Sequence, residues 1–165
     1  MRALLFSSLF LLLFTSCAQD RVQSDGYASV LEGLLNHSVP EVTVSELAKD
    51  TSSIIYLDAR EMNEYSVSHL DQAHYVGFEK VDLSCLDSID KGTKIVVYCS
   101  VGYRSEKVAE KIRAKGFNNT SNLYGGIFEW VNQGNTVVNE NGETDATHAY
   151  DQSWGVWLTR GKKVY

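Results

Sequence analysis

Apolar residues along this chain fall into short unbroken runs separated by stretches in which they recur every three or four positions. That is the pattern of buried strands alternating with amphipathic helices. Val42–Val44 begins the series and Ser45–Lys49 reads as a helical turn. Ile54–Leu57 forms a buried strand ended by Asp58, Glu61–Leu70 a helix, and Ala73–Val76 a third strand. The run Ile95-Val96-Val97-Tyr98 makes a fourth, and from Ser105 the positions Val108, Ala109 and Ile112 keep helical spacing until Gly116 stops them. A short strand around Ser121–Leu123 precedes a helix whose Ile127, Trp130 and Val131 share a face. Such alternation predicts a parallel sheet covered on both sides. Ligands bind such sheets at the carboxyl ends of the strands, where Asp58, Cys99 and Gly125-Gly126 all fall.

The flanks carry their own patterns. From Tyr27 the positions Val30, Leu31, Leu34 and Leu35 predict a short amphipathic helix, closed by residues 36–40. Its polar face lacks the Lys and Arg of a membrane-lying helix, so it is expected to pack on the domain. Near the other end, Asn141-Gly142 between Thr136-Val137-Val138 and Thr144 predicts a turn or hairpin. Trp154, Trp157 and Leu158 lie at helical spacing and are expected to pack back on the body, the alternative being a partner-docking surface.

Cys99-Ser100-Val101-Gly102-Tyr103-Arg104-Ser105 occupies the turn where the fourth strand gives way to a helix. Backbone N–H groups of a tight loop and of a helix's first turn converge with partial positive charge and favour an anion. A cysteine there, with a cation nearby, is held as the nucleophilic thiolate. Arg104 supplies the cation, and Gly102 permits the positive φ or close inward backbone that an anion cradle needs. Taken alone, Cys99 also reads as a buried thiol closing a core strand; the Gly and Arg spacing favours the cradle. Tyr103 either shapes the rim of the site or is simply exposed.

Cys99-x-x-Gly102-x-Arg104-Ser105, with Asp58-Ala59-Arg60 ending an earlier strand and Leu123-Tyr124-Gly125-Gly126 near the close, resembles a single-domain rhodanese-like sulfurtransferase over residues 40–135. The passage Glu61–Ala73, with Glu64-Tyr65, Ser68-His69-Leu70 and Gln72-Ala73, matches the family's E-Y-x-x-G-H-I-x-G-A string in part. Ser68 and Gln72 stand where that string has glycines. The resemblance implies an α/β fold, a three-layer α/β/α domain with a central, mainly parallel five-stranded sheet. It also implies a catalytic Cys99, substrate contacts from Ser100, Val101, Gly102, Tyr103, Arg104 and Ser105, and support from Asp58 and Arg60. Asp58 is expected to brace the loop, Arg60 to pair with Glu64 on the next turn, and His69 to be structural. Cysteine-loop phosphatases, including relatives of this fold, place Arg six residues after the nucleophile. Here that position is Ser105, so phosphatase or arsenate-reducing chemistry is the outlying alternative.

Composition narrows the rest. At 165 residues with a formal net charge of −6, and without a basic face interleaved with aromatics, the chain gives no support to nucleic-acid binding. His37, His74 and His148 have no ligand spacing, so neither a metal site nor a cofactor is expected. Residues 1–16 read as a lipoprotein-type signal peptide: Arg2, an apolar stretch of 12 residues from Ala3 to Phe14 that is too short to span a bilayer, then Thr15-Ser16-Cys17. Cys17 is the expected lipidation site, although Phe14 departs from the usual Leu; an ordinary signal peptide is the alternative. Acylation there would anchor the protein to a bacterial membrane on the cell-envelope side. Residues 17–39 follow as a tether, polar from Ala18 to Asp25, and the short helix; residues 136–165 form a C-terminal extension. Removal of Cys17 leaves Cys85, read as a partly buried apolar contact, and Cys99.

The expected chemistry is two-step sulfur transfer. Cys99 takes the outer sulfur of a small sulfur-containing anion such as thiosulfate, holds it as a persulfide and passes it to a thiol, cyanide or protein acceptor. The amides of residues 100–104 would stabilise the anionic sulfur and Arg104 would steer the donor. Two alternatives remain open: a membrane-tethered persulfide carrier or binding module with little turnover, and redox exchange between Cys85 and Cys99.

Overall fold

The computed structural model describes residues 21–165. The expected signal peptide and the Cys17 lipidation site lie outside these residues. Strands β1 (Glu41–Val42), β2 (Ile54–Asp58), β3 (His74–Tyr75), β4 (Lys94–Tyr98) and β5 (Thr120–Leu123) form one sheet in the order β1-β5-β4-β2-β3. Every pairing in it is parallel. Because side chains alternate across a strand, β4 divides its apolar run between two cores. Val96 and Tyr98 face one cluster with Leu123, Ile127 and Phe128, while Ile95 and Val97 face another with Leu57, Val108, Ala109 and Ile112. Helices cover both faces: α1 (Asp25–Leu34), α2 (Val44–Leu47) and α5 (Gly126–Asn132) supply the first cluster, α4 (Tyr103–Ala114) the second. The result is the expected three-layer α/β/α domain.

Helix ends follow local chemistry. Ser24 Oγ accepts the Tyr27 N–H to cap α1, and Thr43 and Glu46 form a reciprocal capping box at α2. The helix expected over residues 61–70 is shorter, α3 (Met62–Val67). Ser68 is extended and His69 is recruited by Val138, each backbone N–H donating to the other's carbonyl at 2.8 and 2.9 Å. Pairing with a distant strand overrides the local helical pattern.

Both flanks belong to the core. Tyr27 and Leu31 of α1 are buried, each stabilising by about 1.5–3 kcal/mol relative to an exposed position. The polar tether expected up to Asp25 is corrected over its described part. Val22 is buried, the Gln23 N–H donates to Glu129 Oε1 at 2.9 Å, and Arg21 pairs with Glu41 and lies over the Tyr124 ring. Glu106, fully buried on α4, receives the N–H groups of Asn36 and Ser38 and ties down the chain after α1.

In the extension, the expected hairpin is present as β6 (Val137–Asn139) and β7 (Gly142–Thr144), antiparallel. Strands β8 (Ala146–His148) and β9 (Lys162–Val164) then pair in parallel. Trp157 stacks on Tyr27 with ring centroids 5.4 Å apart, and Leu158 is fully buried. The helical spacing of Trp154, Trp157 and Leu158 resolves into a single 3-10 turn, Gly155–Trp157. Asn132 fixes it by donating to the Trp157 carbonyl and accepting the Thr159 N–H.

Candidate active site

The loop after β4 is shaped from behind. Carbonyls of Cys99 and Ser100 accept the N–H groups of Ile127 and Phe128 in the first turn of α5, at 2.9 and 3.1 Å. Gly126 makes this approach possible, since a Cβ there would stand 2.4 Å from the Cys99 carbonyl oxygen. With its carbonyls turned toward α5, the loop turns an amide toward the sulfur: the Gly102 N–H donates to Cys99 Sγ at 3.1 Å. Gly102 takes φ +122°, a region that strains any residue with a Cβ. It also caps α4, a 12-residue helix, so the sulfur lies at the positive end of that helix's dipole.

From beneath, Asn122 on β5 pins the loop. Its Nδ2 donates to the Gly102 carbonyl at 3.0 Å, and its Oδ1 accepts the Ser105 hydroxyl at 2.7 Å. Ser105 is therefore a fully buried brace and does not line the cavity, a correction to its expected substrate contact. The Asn122 role had no sequence signal, because it depends on β5 lying beside β4.

Arg104 is held by an acid that sequence reasoning paired elsewhere. Its Nη1 and Nη2 donate to Glu64 Oε2 and Oε1 at 2.6 and 2.7 Å, and Nη2 also reaches Ser100 Oγ at 2.9 Å. Ser100 Oγ in turn donates to Glu64 at 3.1 Å. Burial by itself would raise the Glu64 carboxyl, but hydrogen bonds and charge from Arg104 outweigh it and hold the group below its ordinary range. For Arg104, burial opposes the cation, and the Glu64 hydrogen bonds and the Cys99 charge leave it more strongly protonated than usual.

The expected Arg60–Glu64 pair is thus corrected. Arg60, fully buried, instead grips Asp58, with Nη2 2.6 Å from Oδ2, and donates to the Ser68 carbonyl at 2.6 Å. Asp58 also accepts the Arg60 backbone N–H at 3.0 Å, closing the strand end. His69 stacks on Tyr65 at 3.9 Å between centroids and Nδ1 donates to the Tyr65 carbonyl.

Cys99 is 1% exposed, yet it forms part of the wall of a cavity of about 110 Å³. Leu34, Ser100, Val101, Tyr103, Arg104, Tyr150 and Trp154 complete that wall. Tyr103 is half-exposed at the rim. Leu34, from α1, and Tyr150 and Trp154, from the extension, went unassigned in the sequence because no local pattern ties them to the loop. Cys85 and Cys99 are both free thiols, and burial, the first cause, raises the Cys85 thiol above its ordinary value.

A strand-to-helix cysteine loop, capped by glycine and opening at the carboxyl edge of a parallel sheet, defines an α/β protein with a thiol held at a helix N-terminus. The sequence pattern of the rhodanese-like domain family matches residues 43–133, and the chain belongs to that family. It is 33% identical over 102 residues to the tRNA uridine(34) hydroxylase of Sodalis glossinidius, covering 59% of this chain and 29% of that protein. It is 25% identical over 97 residues to a Bacillus subtilis protein named "Putative sulfur carrier protein YrkF", covering 57% and 52% of the two. The chain thus spans between 25% and 52% of the length of such curated relatives. Among solved structures, BH2092 protein from Bacillus halodurans superposes with a TM-score of 0.56 at 24% identity, covering 71% of this chain and 86% of that one. A thiosulfate sulfurtransferase from Pseudomonas aeruginosa gives 0.56 at 21% identity, over 84% and 26%. These structural likenesses concern the fold.

Proposed function

We propose that this protein is a sulfurtransferase that carries sulfane sulfur as a persulfide on Cys99. The observation behind this reading is the Gly102 N–H donating to Cys99 Sγ at 3.1 Å, at the N-terminus of α4 and beside an open cavity. The thiolate attacks the outer sulfur of the donor, a new S–S bond forms to Cys99, and the donor's S–S bond breaks with its electron pair leaving on the inner sulfur. With thiosulfate the leaving group is sulfite; a thiol, cyanide or protein acceptor then removes the transferred sulfur. Covalent capture splits one displacement into two easier ones. Main-chain amides stabilise the anionic sulfur without moving.

Intact-mass measurement after exposure to a sulfane donor tests this. The wild type is expected to gain one sulfur on Cys99, and Cys99→Ser none while unfolding at nearly the same temperature; equal gain in both would overturn the assignment. A second reading, a persulfide carrier with little turnover, is favoured by one observation: Glu64 already pairs with both terminal nitrogens of Arg104, the cation that would steer an anionic donor. Stoichiometric loading without steady-state thiosulfate:cyanide turnover would select it. We further propose that a lipid on Cys17 tethers the domain to a membrane in the cell envelope; the same mass spectrum would register it.

A further inference from the structure

We propose that Leu34, Tyr150 and Trp154 select the sulfur compound that reaches Cys99, favouring an organic persulfide with an apolar or aromatic substituent over a small oxyanion such as thiosulfate. This rests on the persulfide reading above and extends it to a substrate class. All three residues lie outside the stretch 43–133 that defines the family. The selectivity would therefore belong to this chain's own flanks.

Charge is the first argument. Arg104 is the cation of the cavity wall, and the Glu64 carboxylate binds it through both terminal nitrogens. The pair contributes close to no net charge, and the remaining face of the guanidinium lies 5.1 Å from the centre of the Tyr150 ring. A dianion entering this cavity would shed water and meet a cation whose charge Glu64 already neutralises, which is costly in a confined site. A persulfide carries at most a single charge, borne on the sulfur that the loop's amide end receives.

Shape is the second. Apart from Cys99, Ser100 and Arg104, the lining is hydrocarbon and aromatic: Val101 and Tyr103 from the loop, and Leu34, Tyr150 and Trp154 from the flanks. A volume of about 110 Å³, where roughly 10–15 Å³ holds one water-sized group, leaves room for several non-hydrogen atoms beyond the transferred sulfur. Such a wall rewards an apolar substituent and offers an oxyanion little beyond single neutral donors.

Backbone strain is the third. Tyr150 sits at φ +64°, a left-handed conformation uncommon for an aromatic residue. The surroundings hold it there: its N–H donates to His148 Nδ1 at 3.1 Å, and the preceding Ala149 N–H donates to the Val164 carbonyl. On the far side, Asp151 Oδ1 accepts the N–H groups of Ser153 and Trp154. A fold that maintains this conformation to keep one ring over Arg104, at the mouth of the cavity, marks that ring as functional.

The transfer balances without a further reactant. With donor R–S–SH, Cys99 thiolate forms a bond to the outer sulfur, the donor's S–S bond breaks, and RS⁻ leaves with the electron pair. The proton stays on the transferred sulfur, giving Cys99–S–SH. No net oxidation occurs.

The test compares wild type with Tyr150→Gly, which suits the left-handed backbone, and with Trp154→Ala. Two donors are used, benzyl hydropersulfide and thiosulfate, with sulfur on Cys99 read by peptide mass over time. Each variant is expected to slow loading from the benzyl donor about tenfold relative to its effect on thiosulfate, the scale that apolar pocket contacts contribute to discrimination. A parallel arm alkylates Cys99 with N-benzyl iodoacetamide or iodoacetate, which needs no sulfur transfer; the wild-type preference for the neutral benzyl reagent is expected to fall in both variants. Equal effects on both members of each pair would overturn the selection. Loss of sulfur loading from every donor, with the alkylation preference intact, would instead overturn the persulfide reading and leave the wall's selectivity standing.

Discussion

Glu64 and Arg104, 40 residues apart in the chain, meet through two charge-assisted hydrogen bonds of 2.6 and 2.7 Å. Bidentate geometry makes this pair strong and directional. Through it α3 is tied to the first turn of α4, and the cysteine loop between β4 and α4 is held with its own Arg104 already paired. Glu64 is a positioning residue in this arrangement.

Replacing Glu64 with Gln frees one charge. Sulfur uptake from thiosulfate is expected to rise relative to uptake from an apolar persulfide, because the Arg104 cation becomes available to an anion. Stability is expected to fall by up to about 3–5 kcal/mol, the cost of breaking a buried pair. Chemical denaturation measures the second effect and donor-resolved loading rates the first; an unchanged donor ratio would show that Glu64 does not screen Arg104.

Gly126 is required by a close approach. A methyl group in Gly126→Ala would stand 2.4 Å from the Cys99 carbonyl oxygen and 2.6 Å from that of Ser100. Both carbonyls would have to leave α5, so loss of sulfur uptake and a stability cost above about 1–3 kcal/mol are expected. Gly142→Ala is the control: its φ of +106° brings strain, but nothing lies within 4 Å of an added Cβ. Similar thermal shifts in the two variants would remove the clash as the cause.

Acid should loosen the wall of the cavity. Burial, the largest cause, lowers the His148 pKa, with Arg60 and Arg104 in the same direction and Glu64 opposed. Since the folded value lies below the unfolded value of about 6.5, the unfolded chain binds more protons in this window. His148 therefore contributes stability that is complete above about 6.5 and is lost as pH falls through the folded value. Protonation also removes the Nδ1 lone pair that accepts the Tyr150 N–H. His148→Gln is expected to flatten the fall in melting temperature between about pH 7 and pH 5. Glu64, held below its ordinary range, loses its contribution at still lower pH and shares the sign.

Leu31 tests whether α1 is part of the domain. It is fully buried, so Leu31→Ala is expected to cost about 2–5 kcal/mol in urea or guanidinium unfolding. A change below about 0.5 kcal/mol, the usual size for a surface substitution, would show that this helix is not part of the folded core.

Strand and helix order, the parallel sheet and the place of Cys99 at its edge were all readable along the chain. Ile95–Tyr98 and the Val108, Ala109, Ile112 series carry periods set by strand and helix geometry, which act over a few residues. The glycine at 102 announces special backbone in the same local way, and it has positive φ. What eluded that reading were choices among partners. Glu64 had two arginines within reach, and Arg60 went to Asp58 because both are sealed behind the sheet's edge while Arg104 faces the loop. Asn122, Tyr150 and Trp154 meet the nucleophile loop only after the sheet has set β5 beside β4 and the extension has wrapped back over α1. Contacts of that kind depend on where whole elements dock, and side-chain periodicity carries no information about it.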